Sequence, residues 1–179
     1  PITWALVLGL DKTASSFFFM TAAADSGDIL SQYEILITNK DDARSLYDKV
    51  IKTALVQIAE FLPALTDGSF KTVKQDQTSV NFWRKREKND GVIDWRMSAR
   101  SIHNLVRGLS KPYVGAHFLY HGNEIKVWKT ELHRDAEVNI EPGKVISHSA
   151  KGVIVKCGEG AICLTEIETA LMLKKGDYL

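Results

Sequence analysis

From residue 115 onward the chain is cut into five short β-prone runs, at 115–121, 123–132, 143–149, 151–157 and 161–167. The breaks between them are turn-formers: His121-Gly122-Asn123, Pro142-Gly143, Lys151-Gly152 and Gly158-Glu159-Gly160. Runs this short and this closely spaced predict a small barrel or sandwich. With one helix entering ahead of them, an open OB-like barrel is the natural expectation.

That helix is legible. Ser98 fits an N-cap, because its hydroxyl can accept from the free N–H groups of a first turn. Ile102, Leu105, Val106 and Leu109 fall at i, i+3, i+4 and i+7, which makes one apolar stripe. Arg100, His103, Asn104 and Arg107 lie off the stripe and are expected to serve polar contacts. Gly108 and Lys111-Pro112 are expected to stop the helix. Just upstream, Asn89-Asp90-Gly91 predicts a turn and the residues up to Asp94-Trp95 a short strand.

The first half reads differently. Residues 2–9, ITWALVLG, suit a buried strand or a short helix by pattern alone. Residues 15–20, SSFFFM, read as a core strand, and 21–27 as a turn. Residues 28–37 read as a second strand whose more apolar face carries Ile29, Ser31, Tyr33, Ile35 and Ile37. A long helix follows. Asn39 to Asp42 supply its cap and early acidic residues, and Ala43, Leu46, Val50, Ala54, Ile58 and Phe61 or Leu62 keep helical spacing. Pro63 is expected after its last full turn. The polar residues 66–80 read as a linker, which divides the chain into 1–65, 66–80 and 81–179.

Composition bounds the function. The 179 residues suffice for one ordinary domain or two small ones, with 45% hydrophobic and 25% charged residues. No apolar run reaches the roughly 20 residues of a membrane span, so no membrane partner and a cytoplasmic location are expected. The start, Pro1-Ile2-Thr3-Trp4, has no basic n-region and does not read as a signal peptide. Net charge is +1, so no global field pulls the chain toward nucleic acid. The charge is uneven: 7 Lys and Arg stand against 10 Asp and Glu in residues 1–80, and 16 against 12 in 81–179. Cys157 and Cys163 match no zinc or redox spacing and read as free buried thiols.

The blocks Asp90-Gly91-Val92-Ile93-Asp94-Trp95, Ile102 to Arg107 (Ile-His-Asn-Leu-Val-Arg) and Pro112-Tyr113-Val114-Gly115-Ala116 occur in one order. Together they resemble the folate-dependent formyltransferases, which include methionyl-tRNA formyltransferase and the nucleotide-sugar N-formyltransferases. The resemblance implies the C-terminal portion of such an enzyme: a remnant of its Rossmann-like α/β domain (helix, β-hairpin, long helix) followed by a small OB-like barrel. It also favours a helix over residues 2–9, with a turn near Gly9.

Asp25-Ser26-Gly27-Asp28-Ile29 resembles the family's Asp-x-Gly-Asp-Ile motif. The resemblance makes Asp25 the acid of an Asn/His/Asp catalytic set and puts Asp25, Ser26, Gly27 and Asp28 at the folate donor, 10-formyltetrahydrofolate. Acyl transfer to an amine needs a base and an oxyanion donor, which the family's His and Asn provide. Their Asn-x-His-Pro-Ser motif belongs upstream of the point matching Pro1 and does not occur in these residues. The chain by itself is therefore not expected to catalyse the reaction. From the residues alone, Asp25 also fits a simple turn that bonds its own backbone.

Trp83-Arg84-Lys85-Arg86 offers forked donors for phosphate and a stacking face. Trp83, Arg84 and Arg86 are candidates for binding a nucleotide-linked amino sugar, as in lipopolysaccharide or O-antigen biosynthesis. A solvated charge run is the plainer reading. The block looks more like the nucleotide-sugar branch than the tRNA branch. Tyr113, His117, Tyr120, His121 and Trp128 form an aromatic and histidine cluster that reads mainly as core packing, with no metal-ligand spacing. The expected function is therefore that of a nucleotide-sugar N-formyltransferase; the alternatives are a methionyl-tRNA formyltransferase with tRNA as partner and a non-catalytic OB-like module binding carbohydrate or nucleic acid. A homodimer also stays open.

Overall fold

The computed structural model describes residues 2–76, 78–133, 138–168 and 172–179. In chain order the elements are α1 (Ile2–Val7), β1 (Lys12–Phe18), β2 (Ile29–Leu36), α2 (Ala43–Asp67), α3 (Ala99–Leu109), β3 (Ala116–Tyr120), β4 (Asn123–His133), β5 (Val145–Ser149), β6 (Gly152–Lys156) and β7 (Ala161–Ile167). They form two compact units. The larger holds the described residues of Pro1–Gly9, Asp41–Arg44 and Lys85–Leu179; the smaller holds Leu10–Lys40 and Ser45–Arg84.

The larger unit is built on one sheet of order β3-β4-β7-β6-β5, with antiparallel neighbours throughout. All five expected runs are strands, because the turn residues set their ends more firmly than composition sets their middles. Among the described residues the edge strands β3 and β5 do not pair, so the sheet is open and no closed barrel forms. Other backbone covers both edges. Ile93 N donates to His117 O beside β3, and Val145 N donates to Asp177 O beside β5. The inner face packs Ala116, Phe118, Ile125, Val127, Val155, Ile162 and Leu164 into one core.

Helix α3 closes that core. The Ser98 side chain accepts from Ser101 N, as the cap expectation required. Ile102, Leu105, Val106 and Leu109 are all buried. Each is worth roughly 1.5–3 kcal/mol of burial, against about 1 kcal/mol for the cap, so packing holds this helix more than its local signals do. Gly108 does not end it. The helix runs one residue further and is capped at Ser110. Gly108 is instead where α1 comes close: a Cβ there would lie 3.0 Å from Val7 Cγ2 and 3.2 Å from Leu6 Cβ. The segment expected as a strand up to Trp95 is a short 3-10 turn, Lys88–Gly91, followed by a single bridge between Val92 and His117. Its backbone then turns at Asp94, whose carbonyl accepts from Met97 N. Residues 2–7 are helical, and Gly9 follows with φ +69. Cys157 and Cys163 are free, buried thiols.

The smaller unit pairs β1 with β2 as an antiparallel hairpin, with a register shift at Phe17/Phe18. β1 starts earlier than expected, at Lys12, and ends at Phe18, leaving Phe19 and Met20 largely exposed. Ile35 and Ile37 are buried on the face the alternation pointed to. Within this unit, the buried Gln57 of α2 donates to Ser15 O at 3.1 Å and to Ser31 Oγ at 2.9 Å, which pins helix to hairpin. Helix α2 does not stop at Pro63; the proline lies inside it. A proline there forfeits a bond to the carbonyl of Ala59. Phe61 meets Phe17 of β1 edge to face at 5.0 Å, and within the helix Thr66 Oγ1 donates back to Leu62 O. Residues 66–80 contain Val73, which exchanges two backbone bonds with Ile29.

Candidate functional site

The loop joining β1 to β2 carries Asp25, Ser26, Gly27 and Asp28. Its mouth is closed by Phe19 N donating to Asp28 O at 3.0 Å. Inside it, Thr21 Oγ1 and Ser26 Oγ stand 2.8 Å apart, and each hydroxyl donates to Ala23 O at 3.0 Å. Gln75 reaches in from beyond α2 and donates its amide to Asp25 O at 2.9 Å and Gly27 O at 2.7 Å. Gly27 is fixed by close approach. A Cβ there would sit 1.6 Å from Phe19 O, which no side chain can occupy. Asp25 itself takes a left-handed φ of +53, a conformation Asp tolerates better than most residues.

The hydroxyls and Gln75 thus shape the loop, and the Asp25 carboxylate takes no hydrogen bond among the described residues. It is exposed. An acid kept out of its own turn is available to an external group. The sequence could not reveal Gln75 in this role, since it lies 48 and 50 residues from the carbonyls it clamps.

The basic knot is divided. Trp83 and Arg84 end the span of the smaller unit, and Lys85 and Arg86 begin the last span of the larger one. Trp83 is 40% exposed. Arg86 stacks over Trp4, 5.9 Å from the ring centroid. Arg86 also lines a cleft of about 500 Å³, with Lys88, Gly115, His117, Glu124 and Lys126 among its other walls. Across that cleft Lys88 pairs with Glu124 at 2.6 Å. The Lys88 ammonium holds the Glu124 carboxyl below its ordinary range, with His117 contributing. His117 is buried, with Nε2 4.0 Å from Glu124.

The aromatic and histidine cluster is not one core. Tyr120 packs against the core, and its hydroxyl donates to Asp177 at 3.1 Å. His117 is buried against the 3-10 turn. Tyr113 is 38% exposed, and His121 forms the tip of the β3–β4 turn with φ +49. Trp128 departs most from the expectation of core packing. It is half-buried and lines a second cleft of about 440 Å³ with Arg44, Lys111, Lys129 and Glu166. On α3, His103 Nδ1 meets the buried Thr130 hydroxyl at 2.9 Å. Burial, then the charges of Arg107 and Arg100, lower the His103 pKa. Among the described residues no group of three His, Cys, Asp or Glu side chains could hold a metal ion, and no helix is long and apolar enough to cross a membrane.

Residues 85–173 match the family Formyl transferase, C-terminal domain. The methionyl-tRNA formyltransferase of Caldanaerobacter subterraneus subsp. tengcongensis is 35% identical over 181 residues, covering 100% of this chain and 58% of that protein. The chain thus spans little more than half of that curated relative. HypX from Aquifex aeolicus, solved in complex with tetrahydrofolic acid, superposes with a TM-score of 0.72 at 20% identity, over 95% of this chain and 29% of that one. An N-formyltransferase from Helicobacter canadensis, in complex with folinic acid and dTDP-3-aminofucose, also gives 0.72, at 17% identity over 92% of this chain and 59% of that one. These structures share the fold. Residues 85–173 are a formyl transferase C-terminal domain, and by that domain the chain belongs to the formyltransferase family.

Proposed function

We propose that the chain is the C-terminal portion of an N-formyltransferase, with 10-formyltetrahydrofolate as formyl donor. In this reading the described residues comprise the rear of a Rossmann-like catalytic domain, up to residue 65, a connecting segment over 66–80, and an OB-like domain over 81–179. The observation that carries the reading is Asp25. Its loop is held by Ser26, Gly27 and Gln75, while its carboxylate stands exposed and outside the loop's own bonding. Asp25 acts as a positioning acid for the histidine that the family motif supplies from outside these residues. The amine would attack the formyl carbon, the C–N bond to the folate would break, and the amine's proton would pass by way of the base to the departing folate nitrogen. Ser26, Gly27 and Asp28 line the donor.

Two acceptors have support. The curated relative at 35% identity favours methionyl-tRNA. The Trp83-Arg84-Lys85-Arg86 block, with Arg86 at a polar cleft, supports the amine of a nucleotide-linked sugar. The relative spans the whole chain, so the tRNA reading now stands ahead. A non-catalytic binding module has no use for an acid presented as Asp25 is.

The test fuses this chain to the part of the Caldanaerobacter enzyme that it does not span. Formyl transfer is then assayed on methionyl-tRNA and on dTDP-amino sugars. Activity is expected, and Asp25→Asn should lower turnover by about two orders of magnitude or more with the fold intact. Near-normal turnover in that variant would remove Asp25 from the mechanism. Transfer to the sugar alone would reverse the order of the two acceptors.

A further inference from the structure

Residues 66–80 read in sequence as a linker, yet part of this segment runs back onto the loop that carries Asp25 and grips it at three places. Phe70 packs on Phe19, with ring centroids 5.3 Å apart. Val73 exchanges backbone bonds of 2.7 and 2.8 Å with Ile29. Phe19 and Ile29 are the two feet of the loop. Between them Gln75 donates to Asp25 O at 2.9 Å and to Gly27 O at 2.7 Å. Just past Gln75, the Asp76 carboxylate accepts from Thr78 N at 2.9 Å, Thr78 Oγ1 at 2.6 Å and Ser79 Oγ at 2.7 Å, which folds the chain behind the clamp. All of these residues belong to the smaller unit.

The loop's own hydroxyls do not reach these carbonyls. Thr21 Oγ1 and Ser26 Oγ both donate to Ala23 O. A primary amide suits the task, because its one nitrogen carries two protons and two carbonyl oxygens converge on it. Asp25 takes φ +53, a conformation that an L side chain holds only where its surroundings favour it. Bonds to the carbonyls on either side of Ser26 favour that left-handed turn over an extended one. The turn in turn sets where the carboxylate stands, since the side chain leaves from the same Cα. Gln75 fixes the acid through its backbone.

We propose that Gln75 is a positioning residue for formyl transfer, acting through Asp25 by holding its backbone in the left-handed turn. This role rests on the reading of Asp25 as the acid beside the family's histidine. It adds a residue 50 positions away from Asp25, outside the motif, and makes residues 70–76 part of the working site.

The test uses the fused enzyme with the acceptor it formylates. Gln75→Met keeps the length of the side chain and removes both protons. It is expected to lower kcat about tenfold, the scale of two ordinary hydrogen bonds, and to change KM less than about twofold. Gln75→Glu, an acceptor facing two acceptors at neutral pH, should lower kcat further. In the Asp25→Asn background, Gln75→Met should cost less than about twofold more, because the group it positions is gone. Amide exchange at Phe19, whose N–H closes the loop mouth on Asp28 O, gives a readout that needs no turnover. Nuclear magnetic resonance should show it at least about fivefold faster in Gln75→Met. Unchanged kcat in Gln75→Met, or unchanged exchange at Phe19, would overturn the positioning role. So would an equal tenfold loss in both backgrounds, which is what damage to the fold alone would give. If Asp25→Asn turns over normally, the reading of Asp25 fails and takes this role with it. A slow Asp25→Asn beside a normal Gln75→Met sinks Gln75 alone.

Discussion

The two units solve the problem of burial in opposite ways. The larger wraps a five-stranded sheet and two helices around a continuous core, where Phe118, Ile102, Leu109, Val127, Val155 and Ile162 are almost fully hidden. The smaller has a hairpin and one long helix, and its buried apolar set is little more than Ile35, Ile37 and Leu46. Most of the large apolar side chains left exposed belong to it. On α2 they are ordered. Ile51, Leu55, Ile58, Leu62 and Leu65 recur at helical spacing on one stripe, each 36% exposed or more. The adjoining stripe, through Gln57 and Phe61, is the one engaged with the hairpin. Among the described residues, helix α2 thus carries an exposed apolar stripe beside the stripe that meets the hairpin. A two-stranded sheet with one helix is marginal as a fold of its own. The larger unit is a finished layer structure and the smaller is an unfinished one.

The largest expected effect tests the finished core. Phe118 is 1% exposed and meets Trp95 edge to face at 5.6 Å. Phe118→Ala should cost about 3–5 kcal/mol in denaturant unfolding followed by near-ultraviolet circular dichroism. A cost below about 1 kcal/mol would mean that the sheet and α3 do not share the continuous core described.

How much of this contrast could be read beforehand depends on the range of the cause. Local causes were legible. The five strands of the larger unit follow their turn residues, and α3 follows Ser98 and its stripe. Causes distant in sequence were hidden. Gly108 reads as a helix stop, yet it is a contact with α1, about a hundred residues earlier. Alternation along β4 would turn Thr130 outward. Pairing with β7 is irregular on both sides of Lys129, and Thr130 is buried beside His103, while Trp128 faces out as alternation from the buried Val127 already requires. Pro63 reads as a terminator, but the contact of Phe61 with the distant Phe17 helps carry α2 past it. At the candidate site the motif pointed to Asp25, while the clamp by Gln75 needed the fold.

The next effect lies in the pH dependence of the larger unit. His103 has a folded pKa below its ordinary 6.5, first through burial and then through Arg107 and Arg100. As pH falls the unfolded chain takes up this proton before the folded one does. The contribution is complete above 6.5 and is lost as pH falls from 6.5 through the lowered folded value. Stability measured by urea unfolding should therefore decline across that window, and His103→Gln should flatten the decline. An unchanged profile in the variant would show that another group sets the acid sensitivity.

Asp94 gives a smaller effect at lower pH. Arg96 donates to its carboxylate from Nε and Nη2, and its backbone N–H adds a third donor, which together lower the pKa to about 2. The same linkage applies: this contribution is present above the ordinary 3.8 and is lost as pH falls toward about 2. Both side chains are well exposed, so solvent screening keeps the pair to about 0–1 kcal/mol. Asp94→Asn should lower stability at neutral pH by no more than that and leave the α3 signal in far-ultraviolet circular dichroism unchanged. A larger loss would make the Asp94 turn, and not Ser98, the device that starts α3.

The smallest stability effect is the sharpest test of the contrast itself. Leu55 and Leu62 are 62% and 50% exposed on the open stripe of α2. An exposed leucine contributes little to folding, so Leu55→Ser with Leu62→Ser should change stability by about 0.5 kcal/mol or less. The same pair removes much of a contiguous apolar surface, and such surfaces drive association. Sedimentation velocity should accordingly show less self-association than for the parent chain. The two readouts separate the cases. If stability holds and association falls, the stripe is an open face, and the smaller unit is incomplete as described. If stability drops by 2 kcal/mol or more, the stripe is covered within the folded chain in solution, and the difference between the two units disappears.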